Sequence, residues 1–149
     1  MSTIHHEFEP LTQNNALALL MSTSVGRIGF VIDGQPYVLP VNYVANTDAK
    51  IVLRASETGI LARIAGRTAF EVDGYDARRR TGWSVLILGD MQDITTSRAP
   101  RHVHLRNLAL NPWAAGARGR WLMITAQQLT GRRVAGPIVE EWFAGVPSS

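Results

Sequence analysis

The chain has 149 residues, 46% of them hydrophobic, enough for one domain with a sizeable core. Fifteen Lys and Arg against twelve Asp and Glu leave a formal charge of +3, too little for a nucleic-acid-binding face. The absence of cysteine excludes disulfides, thiolate metal sites and Cys nucleophiles.

No apolar run reaches the length that spans a bilayer, and the opening MSTIHHEFEP lacks the charged-then-apolar pattern of a signal peptide. A soluble, cytoplasmic protein without a membrane partner is therefore expected. Lys50 is the only lysine among the cations. Codon bias accounts for such a skew, and so does selection for arginines that grip phosphates or carboxylates in bidentate fashion.

Thr12 is placed to cap a short helix running to Met21, with Leu17, Leu20 and Met21 on a partly apolar face. Two strands follow, Gly26–Ile32 and Pro36–Ala45, broken at Asp33-Gly34, a strong hairpin dipeptide. Asn46-Thr47-Asp48 is a turn into the strand KIVLRA. From Ser56 to Gly66 the spacing of Ile60, Leu61 and Ile64 predicts a second helix. TAFEVDGYD and GWSVLILGDMQDI read as strands around the loop ARRRT. A third helix is expected from Ser97 to Leu110, stopped by Pro112. RWLMITAQQLTGRRV gives one long strand or a bent pair, and the tail after Gly136 a short helix or an arm.

About six strands, mostly in hairpins, with three short helices predict a mainly β, α+β fold: an antiparallel barrel with helices around it, in a single domain. The second strand of the hairpin is unusual. Tyr37, Leu39, Val41, Tyr43 and Ala45 alternate with Val38, Pro40, Asn42 and Val44, so both faces are largely apolar. One face suits the barrel interior, and the other calls for a second subunit, a helix or a flat ligand. Pro40 interrupts the ladder on one side, leaving the backbone groups of Val41 and Asn42 to find partners. An unpaired edge or bulge explains this, and so does a bound heteroaromatic ring.

The stretches GRIGF…DGQPYVLPVNYV, FEVDGYD and TGWSVLILGDMQDI, with the later NPWAAGARGRWLMIT and LTGRR, resemble the pyridoxamine 5′-phosphate oxidase-related flavin-binding family. Within it they are similar to the small nitroimidazole-resistance-like, flavin or deazaflavin oxidoreductase branch, from about Leu11 to Val134. The resemblance implies an FMN-binding split β-barrel that forms a homodimer with the cofactor between subunits. It implies that the backbone of Val41, Asn42 and Tyr43 edges the flavin ring, that Arg54, Ser56 and Gly59 hold its phosphate, and that Trp83, Ser84 and Trp113 line the cleft. On packing grounds alone the two tryptophans serve equally as core or interface residues.

One position departs from the family pattern: Leu61 stands where a phosphate-binding lysine is expected. Arg63 or Arg67 is then the candidate to compensate, while Glu57 opposes an anion. F420 and FAD are accordingly alternative cofactors. His5-His6 and His102-x-His104 lack a completing carboxylate, so no metal site is expected. Arg78 to Arg80 read as a solvated turn or as a collector of an anionic tail. Tyr43 and Arg27 are open to substrate contact or to packing, and no residue stands out as a catalytic acid or base.

The expected function is thus hydride transfer between a reduced cofactor and a small organic substrate. The alternatives are an F420-dependent reductase and a non-catalytic binder of a flavin, haem or other flat ligand.

Overall fold

The computed structural model of the protein describes residues 8–56, 58–64, 66–109 and 119–135. Glu57, Pro112, Trp113, His5-His6 and the tail after Gly136 lie outside the described residues. Within them the chain forms β1 (Phe8–Pro10), α1 (Gln13–Ser22), β2 (Val25–Ile32), β3 (Gln35–Asn42), β4 (Val44–Ala45) and β5 (Lys50–Ser56). A single 3₁₀ turn (Ile60–Arg63), β6 (Gly66–Asp76), β7 (Thr81–Asp93), α2 (Pro100–Leu108) and β8 (Gly119–Ala135) follow.

These strands form one antiparallel sheet in the order β3-β2-β6-β7-β8-β5-β4, with β1 added to the end of β8. β3 and β4 occupy opposite ends of that order, yet only Tyr43 separates them in sequence. A sheet whose two ends are joined by one residue must curl round on itself. The result is a split β-barrel with short helices: the antiparallel barrel that the patterning predicts, in the split form that the family resemblance implies.

Tyr43 fixes the closure. Its side chain is buried, and its hydroxyl donates to the Leu20 carbonyl at 2.5 Å and bonds the Thr23 hydroxyl, both at the end of α1. Its ring meets Phe70 edge-on with centroids 4.9 Å apart. Ile28, Phe70, Val72, Ile87 and Ile124 fill the interior, and Ala16 and Leu20 of α1 pack among them. Thr12 caps α1 through its side chain, which accepts from the Asn15 amide, so the first helix starts where the sequence signals it.

The prolines of β3 follow from its place at the sheet's end. The Tyr43 amide donates to Ser24 on the β2 side, so odd-numbered residues of this segment are directed at β2. Val41 is among them. Pro36, Val38, Pro40 and Asn42 are directed away, towards the split. Two of those four positions have no N–H to offer, which keeps β3 from zipping onto the far side of the barrel.

Several elements differ from the sequence reading. The strand expected over Pro36–Ala45 breaks at Tyr43, because β4 changes partner from β2 to β5. The helix expected over Ser56–Gly66 is one 3₁₀ turn. Pairing of β5 with β8 continues to Ser56–Gly119, and Gly59 is still extended, leaving only four residues to coil. Ile60 and Leu61 nonetheless reach the core, which is what their spacing registered. α2 begins at Pro100, a residue suited to a first helical turn but not to an interior. β8 is one long strand with a bulge: Leu88 pairs with Gln128 and Gly89 with Ala126, so Gln127 is extra. The Asp33-Gly34 turn has both residues at positive φ, 51° and 76°, the conformation that matches strand twist.

At the bulge, a Cβ on Gly89 would lie 2.0 Å from the Thr125 carbonyl oxygen. Because backbone cannot swing aside, Gly89→Ala is expected to destabilise the protein by roughly 2–3 kcal/mol, read as a lower urea midpoint at unchanged slope.

Candidate functional site

The sheet's outer face carries a cleft of about 670 Å³ across β2, β6, β7 and β8. Strand alternation and register assemble it. Arg27 lies opposite Glu71, Glu71 opposite Leu86 and Leu86 opposite Thr130, while Asp73 lies opposite Ser84 and Ser84 opposite Arg132. Pro40 extends the first row onto β3, since it pairs with Arg27, and Asn42 is on the same side of β3. Trp83 forms a wall, partly buried against the core, with its indole over Gly74. A Cβ at Gly74 would come 2.4 Å from Trp83 Nε1, so that glycine makes room for the ring.

The charged centre of the cleft is Arg27, which reaches Asp73 at 2.5 Å and Glu71 at 3.5 Å. One arginine serves two carboxylates, and the balance falls on Glu71. Burial pushes its carboxyl up to about 7, hydrogen bonding and charge from Asp73 push the same way, and Arg27 pulls back. Glu71 Oε1 is buried with no hydrogen-bond partner among the described residues. Near neutrality this cleft therefore holds a proton that is readily gained or lost. The sequence reading gave Glu71 and Asp73 no role. Their alternation in FEVDGYD puts them on one face, but only the pairing of β2 with β6 brings Arg27 between them.

Arg54, Ser56 and Gly59 form a second group at the far end of β5. The Arg54 guanidinium stacks 4.5 Å from the centre of the Trp121 ring, which is its partner in register on β8. The Gly59 amide donates to the Ser56 carbonyl, and a Cβ on Gly59 would fall 2.6 Å from Ser56 Oγ. A guanidinium and an exposed hydroxyl on the same face of β5 suit an anion.

Leu61 is turned into the core, while Arg63 lies 3.6 Å from Asp33 and Arg67 bonds Gln127. Both arginines are thus engaged elsewhere. Val41 and Tyr43 are core residues, and Asn42 alone of that trio is exposed.

The two groups do not meet within one chain. Ser56 pairs with Gly119 and Trp83 with Arg133, at opposite ends of β8, a path of ~45 Å along an extended strand. Arg78 to Arg80 are exposed in the β6–β7 turn, where Asp76 accepts from the Arg78 and Arg79 amides. Among the described residues no three His, Asp or Glu side chains gather at a possible metal site, and no helix is long and apolar enough to cross a membrane.

The barrel and its outer cleft define the class, and comparison with known proteins gives the family. The family model described as pyridoxamine 5′-phosphate oxidase matches residues 12–133. The chain belongs to that family. It is 30% identical over 136 residues to the uncharacterized protein Rv0080 of Mycobacterium tuberculosis, covering 86% of each chain. The fold is similar to that of the FAD binding protein from Mycobacterium smegmatis, with a TM-score of 0.72 and 25% identity over 87% of this chain and 100% of that one. It is also similar to a FAD-binding protein from Mesorhizobium loti, with a TM-score of 0.73 and 22% identity over 88% and 99% of the two chains.

The Glu71 carboxyl has a testable signature. A carboxyl with a raised folded-state value stabilises the fold fully below its ordinary value of 4.5, and that contribution is lost as pH rises through about 7. Glu71→Gln keeps the neutral shape and removes the titration. Relative to the parent it is expected to gain on the order of 1 kcal/mol between pH 5 and pH 8, a figure discounted for partial exposure, in urea unfolding at both values.

Proposed function

We propose that two copies of the chain form a homodimer that binds a flavin in each of two shared clefts. In this form it transfers hydride, in the cytoplasm, between a reduced donor and a small organic acceptor. The observation that carries the reading is the separation of the two residue groups. Arg54, Ser56 and Gly59 suit a phosphate, whereas Trp83, Ser84 and Asn42 suit a flat ring, and ~45 Å of strand lies between Ser56 and Trp83. A two-fold axis that sets the phosphate end of one copy against the ring end of the other unites them. The exposed apolar residues Val25, Val38 and Leu86, close to the cleft, give such a contact surface to bury.

Family membership and the likeness to a FAD-binding protein support the flavin. FMN is the form that the family resemblance implies, and FAD is supported by that neighbour. A bound flavin supplies the hydride chemistry. The chain's own contribution is distinct. Arg54 donates charge-assisted bonds to phosphate oxygens, Ser56 adds its hydroxyl, Trp83 covers the ring and excludes water, and Glu71 holds a proton beside Arg27 and Asp73. A second reading, a non-catalytic carrier of a flat ligand, draws on Leu61, which packs against the core at the position where the family resemblance implies a phosphate-binding lysine.

Titration of the chain with FMN, FAD and F420, followed by mixing with NADH, NADPH or reduced F420, separates these readings. Saturable flavin binding with donor-driven bleaching supports the oxidoreductase, binding without reduction the carrier, and selective F420 binding the deazaflavin reductase.

The shared cleft has its own test. Arg54→Ala and Trp83→Ala are each expected to weaken flavin binding by tenfold or more. Because half of a random mixture is heterodimer with one intact cleft, about a quarter of the sites return on unfolding and refolding the two variants together. Recovery of none would place both groups' contacts within one copy, or nowhere near the flavin.

A further inference from the structure

A second, smaller cavity of about 320 Å³ lies where the Asn46–Lys50 turn, β7, β8 and the start of α2 converge. Lys50, Arg101, His102 and His104 line it, and Asp48 is the one carboxylate among its lining residues. Neither Lys50 nor Arg101 forms an ion pair among the described residues. The only lysine of the chain thus faces this pocket, where it and Arg101 set two cations against one carboxylate.

These groups are held in place. Asn46 Oδ1 accepts from the Asp48 and Lys50 amides at 3.0 Å each, which fixes the turn and sets Lys50 at the head of β5. His102 is buried, with Nδ1 2.6 Å from Ser97 Oγ. Arg106, in the last turn of α2, donates to the Ile94 and Ser97 carbonyls and so ties the helix to the loop that precedes it. Burial lowers the His102 pKa first, and the positive charges of Arg101, Arg106 and Lys50 lower it further. Lys50 and Arg101 outnumber Asp48 in the lining, and α2 starts beside the pocket with the positive end of its helix dipole.

We propose that this pocket binds the phosphoryl group of a small phosphorylated molecule, with Lys50 and Arg101 neutralising the dianion and Thr125 and Gln92 offering further hydrogen bonds. The cavity has room for a phosphate and a few carbons. It is separate from the Arg54–Ser56 group, since Lys50 and Ser56 stand at opposite ends of β5, ~20 Å apart along the strand. The site does not depend on the flavin reading.

Inorganic phosphate and glycerol 3-phosphate are the probes, titrated against the full chain with ¹H–¹⁵N imidazole spectra and thermal melts as readouts. Sodium chloride at matched ionic strength is the control. Saturable shifts of the His102 and His104 ring signals are expected, with affinity falling at least tenfold in Lys50→Ala and in Arg101→Ala and unchanged in Arg54→Ala. Tighter binding of the ester than of inorganic phosphate would identify an esterified ligand, and the converse the free ion. The proposal is overturned if the shifts do not saturate or match those in sodium chloride. It is equally overturned if Arg54→Ala abolishes phosphate binding while a folded Lys50→Ala retains it. Lys50→Gln, which keeps the stem, guards against loss of fold as the cause.

Discussion

Everything in this molecule depends on how the sheet ends. A single stretch, Gln35 to Ala45, supplies the first strand of the order and the last, and Tyr43, at the joint between the two, is tied to α1. Such a hydroxyl, buried with both its bonds made, resists displacement because breaking either bond strands a polar group away from water. The interior is thereby closed at one corner, and each strand acquires a defined inside and outside. The outside is where chemistry is available.

Strand alternation then sorts the residues. On β6, Phe70 and Val72 go inward while Glu71 and Asp73 go outward; on β2, Ile28 and Phe30 go inward while Arg27 goes outward. The charged cleft is the exterior complement of the core, built from the same strands in the same register. A one-residue slip of β6 against β2 would bury Glu71 and Asp73 and expose Phe70 and Val72 together, so fold and site are specified by one constraint. The second apolar cluster, where Leu105 of α2 and Ala109 just past its end meet Val52, Ile94 and Met123, seats α2 on the outer face and gives the basic pocket its wall.

The hairpins were legible because their signals are local: Asp33-Gly34 needs positive φ at both positions, and the strands beside it alternate cleanly. β1 and β4, at three and two residues, are too short to show a period. The stretch after Ser56 misled because a stripe of Ile60, Leu61 and Ile64 appears whenever a turn lays apolar residues on a core, whether or not a helix continues. Family resemblance placed Trp83, Ser84 and Asn42 near one cleft, but it could not show that Ser56 stands at the other end of β8, which is a property of register. The Arg27–Glu71–Asp73 cluster joins residues more than forty positions apart and was invisible for the same reason.

The two prolines of β3 have a consequence beyond the barrel itself. A free strand edge is a template on which other chains can add by hydrogen bonding, and cells contain many chains able to do so. Here the outward side of β3 alternates Pro36, Val38, Pro40 and Asn42, so donors recur only at every second outward position, twice the spacing that a growing cross-β ladder requires. The chain can leave its seam open, and its apolar side chains near the surface, without offering an edge on which a fibril can grow.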